Sequence, residues 1–328
     1  MIFLKNNNIL LLLVSIIFSY IFVFIIPWTN WVYFLDIDFY IARIGVLFTS
    51  GLEADTAKNY TGIYFLFSEP LWYFLLIQIP FLFNDVYTGI GWISFFSLLV
   101  YSFYTFKNSN ILISSVLLFN PIFIDLILSQ VRMALAVAFL LLAYMLIKKS
   151  KIIATIFLLS SFLIHTASIL LSAIYLLITF GKNTIKNDDL FYKLMLVMPF
   201  FGVIIMTLVA LPVLDFFGDA RILYFIGQTD TSSIFFSIIY LGFSILIAIL
   251  PKKSIAAEYW DITSYAIFMG SFFFGLSIVQ LYGSRFVAVA FPFFIIAIDK
   301  LKSQPRFSMY SLLFIYQLIY LIFWVTYS

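Results

Sequence analysis

The chain has 328 residues, of which 64% are hydrophobic, 21% aromatic and only 10% charged, and its mean hydropathy is +1.13. A soluble globule carries about 25% charged residues and about half apolar ones, so this composition excludes a soluble globule and indicates an integral membrane protein. A net charge of +3 gives no reason to expect a nucleic-acid partner, and the absence of cysteine excludes disulfides, thiolate metal sites and cysteine nucleophiles.

A spanning helix takes about 20 apolar residues, and the sequence offers about ten such stretches with short connections. The alternation of an outer-membrane barrel is absent. The expectation is an all-α, polytopic protein with a single membrane domain over 1–328, some of whose helices are re-entrant. Lys5 and the apolar run from Ile9 to Pro27 resemble a signal sequence, but no small-x-small cleavage site follows. The run reads as a retained first helix.

Residues 28–70 are the polar exception, with Asp36, Asp38, Arg43, Glu53, Asp55, Lys58 and Glu69 set among aromatics; they read as a larger outer loop with interfacial helices. If Lys5 is inside and this loop outside, Leu71 to Phe83 and Ile90 to Phe106 together cross only once, so one of them is re-entrant or lies flat. Ile111 to Ile127 then climbs to a turn at Ser129 and Gln130, and Val131 to Ile147 descends. The 29 residues from Ile152 to Phe180 have basic clusters at both ends, which points to a hairpin of two short helices broken near His165. Irregular backbone of that kind is tolerated only where protein or a wet cavity surrounds it. Further apolar runs cover about 190–214, 233–250, 262–282, 286–298 and 308–327.

The lysines cluster between these runs, at Lys107, at Lys148, Lys149 and Lys151, at Lys182 and Lys186, at Lys252 and Lys253, and at Lys300 and Lys302. The bias of basic residues toward cytoplasmic loops places these clusters inside and leaves Arg132, Arg221 and Arg285 at the opposite face, each at the mouth of an apolar segment. The plain reading is that each arginine pairs with a nearby carboxylate or reaches to headgroups. A cation in the first turn of a helix opposes the helix dipole by several tenths of a kcal/mol. A bound anion offsets that cost, and a guanidinium beside free N–H groups suits a phosphate or pyrophosphate.

His165, the single histidine, lies in an apolar stretch. Its plain reading is a side chain hydrogen-bonded to Thr166, Ser161 or a carbonyl; its functional reading is a base, since an imidazole titrates at roughly 6.5. A lone histidine without cysteine makes no zinc site. Glu69, Asp36 and Asp38 stand near Trp28, Trp31, Tyr33, Tyr40, Trp72 and Tyr73. Carboxylates with flat rings suit a carbohydrate, and they equally suit the aromatic belt of a membrane interface.

The run Ser129-Gln-Val-Arg132-Met-Ala-Leu-Ala136, followed by Phe162-Leu-Ile-His165-Thr-Ala-Ser168, resembles the central signature of EpsG-like, Wzy-type O-antigen polymerases. Asp36-Ile-Asp38-Phe-Tyr40, Glu69-Pro70 and Arg221-Ile-Leu-Tyr224 are similar to their early acidic, Glu-Pro and late Arg-Tyr motifs. One departure is visible, since the family's arginine is commonly followed by glutamine, whereas here Gln130 precedes Arg132 and Met133 follows. The resemblance implies a GT-C-like membrane glycosyltransferase at the periplasmic face of the bacterial inner membrane, metal-independent, inverting and without cofactor. Such an enzyme moves a growing glycan from undecaprenyl pyrophosphate to the sugar of another lipid-linked repeat, with membrane lipids and a chain-length regulator as partners. It further implies pyrophosphate contacts from Arg132, Arg285 and Arg221, acceptor contacts from Asp36, Asp38, Tyr40 and Tyr224, and His165 or Glu69 as the base. A lipid-linked oligosaccharide flippase is the competing reading, and a membrane acyltransferase the third. No internal repeat of the transporter kind is visible.

Overall fold

The computed structural model describes all residues except 1, 35, 46–68, 84, 186, 211, 213–230, 252–256, 280, 282 and 328. Among the described residues the chain is helical and has no strand. Six helical stretches are long and apolar enough to cross a membrane: Asn8–Asn30, Val86–Asn108, Ala167–Thr184, Asp188–Leu208, Tyr259–Ile278 and Ser303–Thr326. Four shorter apolar helices and one bent pair accompany them. The helices gather into two compact units, residues 1–173 with 317–328, and residues 174–316.

In the first unit, α1 (Ile2–Tyr20) packs on α4 (Val86–Asn108), and α4 packs on α7 (Val131–Leu146). A helix over 36–45, α2, and the short α3 (Pro70–Leu82) complete one end. Tyr40 and Ile44 of α2, Trp72, Leu76 and Ile79 of α3, Ile90 of α4, Val131, Leu135 and Ala136 of α7, and Ile164 form a single buried cluster. Every buried side chain of α3 therefore lies beside the first turns of α4 and α7. Gly89 permits the approach, since a Cβ there would stand 2.5 Å from Ile79 Cγ2. Of the two stretches within residues 71–106, α4 with 23 residues is long and apolar enough to cross a membrane, whereas α3 has 13 residues and counts among the shorter apolar helices.

The segment expected to climb in one piece from Ile111 to Ile127 is broken. Helices α5 (Ile111–Leu117) and α6 (Pro121–Leu128) meet at 77°. Pro121 explains the break, since a proline disfavours helical backbone in the residue before it; Asn120 stays extended and caps α6 through its Oδ1 on Ile122 N. Gln317 of α14 (Ser303–Tyr327) donates to the Val116 carbonyl at 2.9 Å, a group close to the break. After the turn, α7 and α8 (Lys151–Ile164) pack along each other, with Ser161 Oγ donating to Ala136 O at 2.8 Å. The expected break at His165 is present, but α9 (Ala167–Thr184) has 18 residues and is long enough to cross alone. The short partner α8 lies along α7 rather than as one of two equal half-helices.

In the second unit, α12 (Ala257–Ile278) is central and packs on α10 (Asp188–Ile205), α11 (Thr231–Ile249) and α13 (Ser284–Asp299). These bounds follow the apolar runs read from the sequence. One end of the unit collects basic and aromatic residues. Lys182 Nζ lies 4.5 Å from the Trp260 ring centroid and 3.6 Å from Asp261 Oδ1, while Lys300 Nζ lies 4.0 Å from the Tyr259 centroid. Arg285 opens α13 and Lys300 closes it, so the two are separated by about 22 Å at 1.5 Å per residue. In the first unit, α7 runs likewise from Arg132 toward Lys148 and α8 returns from Lys151 to His165. Within each unit the helix-opening arginine and the lysines stand at opposite ends.

The α11–α12 contact depends on Gly270, where a Cβ would come within 2.2 Å of Ser244 Oγ and 2.8 Å of the Tyr240 carbonyl oxygen. Because the second neighbour is backbone, Gly270→Ala forces the helices apart and costs about 1–3 kcal/mol. The expected outcome is a lower thermal midpoint in detergent; an unchanged midpoint would show that the helices are not so close.

Candidate functional site

Three helix ends converge in the first unit. Pro70 starts α3 with its φ already helical, which leaves Glu69 as the residue that enters the helix. Glu69 adopts φ 61° and ψ 53°, the one positive φ among the described non-glycine residues. A left-handed backbone under a full side chain costs about 1–3 kcal/mol, and the following proline steers the residue toward extended geometry instead. Something outside the local chain holds it there. An N-cap side chain ordinarily caps its own helix, yet Glu69 makes no such bond and points into the protein, 6% exposed.

Both carboxylate oxygens are engaged. Oε2 accepts from Arg132 Nη1 at 2.5 Å. Oε1 meets His165 Nδ1 at 2.6 Å and accepts from Thr166 N at 3.0 Å and Thr166 Oγ1 at 3.3 Å. The last three donors come from the break between α8 and α9. His165 is extended, with φ −152° and ψ 117°, and its N–H closes α8 on Ser161 O; Ser168 N and Oγ then take the His165 carbonyl as the chain restarts. A continuous helix would bind the Thr166 N–H internally. The break turns it to Glu69.

Burial pushes the Glu69 carboxyl upward, but the hydrogen bond from His165, the positive charge of the protonated His165 ring, the Arg132 guanidinium and the Thr166 N–H overcome burial and hold it at about 2. Glu69 is thus an ionised acceptor, and the hydrogen shared with His165 is carried by Nδ1. In the neutral ring that tautomer puts the lone pair on Nε2, so the geometry separates an orienting carboxylate from a basic nitrogen.

Arg132 is the second residue of α7, whose N-cap, Gln130, makes no side-chain cap. Gln130 is buried and donates instead to Asp125 Oδ2 at 2.5 Å, clamping the end of α6 to the start of α7. The carboxylate expected by the plain reading of Arg132 is Glu69. One of five guanidinium N–H groups is used in that contact; no other hydrogen bond to Arg132 occurs among the described residues, and its side chain is 29% exposed.

The remaining sequence candidates are dispersed. Arg285 is the second residue of α13, after the uncapped Gly283, and belongs to the second unit. Arg221 and Tyr224 lie outside the described residues, as do Glu53, Asp55 and Lys58. Asp36 and Asp38 are on α2, where Asp38 accepts from Tyr33 OH at 2.6 Å; neither contacts Glu69 or Arg132. Tyr40, expected at the acceptor, is 5% exposed and stands edge-on to Trp72 at 5.3 Å. Its ring has little surface left for a sugar. Thr166, named in the sequence only as a partner for His165, donates to Glu69 instead, and Arg43, named only as one charge of the polar stretch, donates from Nη2 to Tyr73 OH at 3.2 Å. Among the described residues no three His, Cys, Asp or Glu side chains converge as metal ligands do.

No family model, curated protein or solved structure matches the chain.

Leaving a buried hydrogen-bonding group without its partner costs about 1–3 kcal/mol, and Glu69→Ala does this to the Thr166 N–H and the His165 ring at once, so it is expected to lower the thermal midpoint markedly. The acid response carries the sign of a depressed carboxyl. Stability from Glu69 is complete above the ordinary value of 4.5 and is lost as pH falls from there toward about 2. Thermal melts of wild type should therefore drop across that interval, and Glu69→Gln, which has nothing to titrate there, should drop less. Equal slopes would mean that the carboxyl is not held down.

Proposed function

We propose that the chain is a polysaccharide repeat-unit polymerase, a membrane glycosyltransferase that joins lipid-linked repeats. The observation that carries this reading is the meeting of Glu69, Arg132 and His165. Each belongs to a different motif of the resemblance to O-antigen polymerases, and the three motifs lie on separate helices. In the proposed reaction an acceptor hydroxyl oxygen attacks the anomeric carbon of the donor glycan. The bond from that carbon to the diphosphate oxygen breaks, its electron pair leaves with undecaprenyl diphosphate, and the hydroxyl proton goes to His165 Nε2. Direct displacement inverts the anomeric centre.

Glu69 orients the imidazole and fixes its tautomer. Its fully engaged oxygens favour His165 over Glu69 as the base. Arg132 neutralises charge developing on the leaving diphosphate, an electrostatic contribution of several kcal/mol in a shielded site; for Arg285 and Arg221 the same task is what the resemblance implies. The finer architecture belongs to the same proposal. A GT-C-like arrangement of about ten crossings draws on the six long apolar helices, the bent α5–α6 pair and the shorter apolar helices. The bacterial inner membrane is what the resemblance implies, and the positive-inside bias supports the placement of Arg132 and Arg285 at the periplasmic face.

The decisive experiment supplies purified protein with a synthetic lipid-linked repeat and resolves the products. A polymerase makes a ladder of longer glycans; a flippase or an acyltransferase makes none. Loss of a general base typically costs about 10²–10⁴-fold. His165→Gln, which keeps a hydrogen-bonding side chain but accepts no proton near neutrality, is expected to lose at least the lower figure at normal protein abundance. Full ladder length from His165→Gln would remove the histidine from the chemistry.

The orientation is tested separately. Because the chain has no cysteine, single cysteines at 285 and 148 report one site each. An impermeant thiol reagent should label Arg285→Cys from the outer side of the intact inner membrane, and Lys148→Cys only after that membrane is broken. The reverse pattern inverts the topology.

A further inference from the structure

Gln130, in the run Ser129-Gln-Val-Arg132, takes no part in the reaction as proposed. It stands at the N-cap of α7, where a short Ser, Thr, Asp or Asn side chain ordinarily bonds the first helical N–H groups. Its longer amide turns the other way and donates from Nε2 to Asp125 Oδ2 at 2.5 Å. The backbone follows the same path. The Asp125 carbonyl accepts from Ser129 N at 2.8 Å and from Gln130 N at 3.0 Å, and Val131 N closes on Ser129 O at 2.9 Å. With φ −82° and ψ 45° at Gln130, that last bond is an inverse γ-turn. Helix α6 thus passes into α7 through two residues, both buried, and Asp125 holds Gln130 by main chain and side chain together.

Asp125 stands in the last turn of α6, where the helix dipole disfavours an anion, as Arg132 stands in the first turn of α7, where it disfavours a cation. Gln130 offsets the first cost and Glu69 the second. The chain couples the two. Successive side chains of a helix are about 100° apart, so a slip of one residue at the turn would swing Arg132 away from Glu69 and take Val131 out of the cluster it shares with Trp72 and Ile164. We propose that Asp125 and Gln130 are positioning residues for the reaction, whose bond fixes where α7 begins and so the direction from which Arg132 reaches Glu69 and the donor diphosphate. Both act through Arg132, and neither touches substrate. This inference rests on the donor-binding reading of Arg132.

Two measurements on the full-length protein in detergent separate the clamp from the chemistry. Phenylglyoxal modification of Arg132, followed site by site by mass spectrometry, reports how firmly its guanidinium is held, whatever reaction the protein performs. Gln130→Met keeps the length of the buried side chain but has no donor. It should raise the modification rate at Arg132 about tenfold, the weight of one hydrogen bond to a charged group, and leave Arg306 of the second unit unchanged. In the ladder assay Gln130→Met and Asp125→Ala should each lower kcat about tenfold with little change in KM, because Arg132 meets charge that develops only in the transition state. Asp125→Asn keeps an acceptor oxygen and should recover most of that loss. In an Arg132→Ala background neither Gln130→Met nor Asp125→Ala should lower kcat further, while both should still lower the thermal midpoint.

An unchanged Arg132 rate and an unchanged kcat in Gln130→Met and Asp125→Ala overturn the positioning role, and wild-type ladders then leave the polymerase reading standing. A loss in Asp125→Asn as deep as in Asp125→Ala also overturns it, since the charge rather than the bond is then what acts. Further loss of kcat in the Arg132→Ala background overturns the route through Arg132. Faster modification of Arg132 in the variants, in a protein that makes no ladder, upholds the clamp and removes the polymerase.

Discussion

An ionised carboxylate is stable away from water only where hydrogen-bond donors and positive charge surround it, and the donors around Glu69 come from three separate stretches of chain. Arg132 enters from α7, His165 and Thr166 from the α8–α9 break, and the carboxylate itself from the residue before α3. Each contact demands a local departure from regular structure. Glu69 takes a left-handed backbone before proline, and α8 stops so that the Thr166 N–H and the His165 ring can turn inward. Arg132 sits against the positive end of its helix dipole. Those departures are unfavourable one at a time and mutually satisfied together, so the packing of this end of the unit and the geometry of the site are one interaction.

The same physics accounts for the short helices. A 13-residue α3 does not reach across a bilayer of about 30 Å hydrocarbon, and the bent α5–α6 pair interrupts its backbone at Asn120. Irregular backbone at membrane depth requires protein around it. Here α3 is embedded with the ends of α2, α4, α7 and α8 in one apolar cluster, and Gln317 donates to the Val116 carbonyl close to the α5–α6 break. The polar residues then collect where the helices end, opposite the lysines of the same unit.

Much of the helical layout was legible in the sequence because apolar run length is a local property. The runs at about 233–250, 262–282, 286–298 and 308–327 match α11 to α14 within a few residues. The break at His165 was legible too, from the basic clusters that bracket an overlong run. The kink at Pro121 was not, since Ile111 to Ile127 is apolar on both sides of it and hydropathy carries no record of direction. The site was legible only as a list. Glu69 is 63 residues from Arg132 and 96 from His165, and no spacing rule connects them; which carboxylate answers Arg132, and that the same one meets the histidine, are facts of tertiary structure. Tyr40, given an acceptor contact by the resemblance, has its ring turned by α2 toward Trp72, a neighbour that no spacing in the sequence names.

The ion pair between Glu69 and Arg132 does not by itself exclude Arg132 from holding a ligand. A lysine in that place would be a point charge whose attraction to Glu69 and to a phosphate competes directly. A guanidinium is planar and carries five donors in fixed directions, so a bond from Nη1 to a buried carboxylate orients the plane without exhausting it. The side chain is partly exposed while its partner is almost wholly buried. In the proposed reaction the same carboxylate therefore sets two orientations, that of the proton-accepting ring and that of the phosphate-binding fork. The distance between proton acceptor and leaving group is then fixed by a single buried side chain rather than by two independently placed helices.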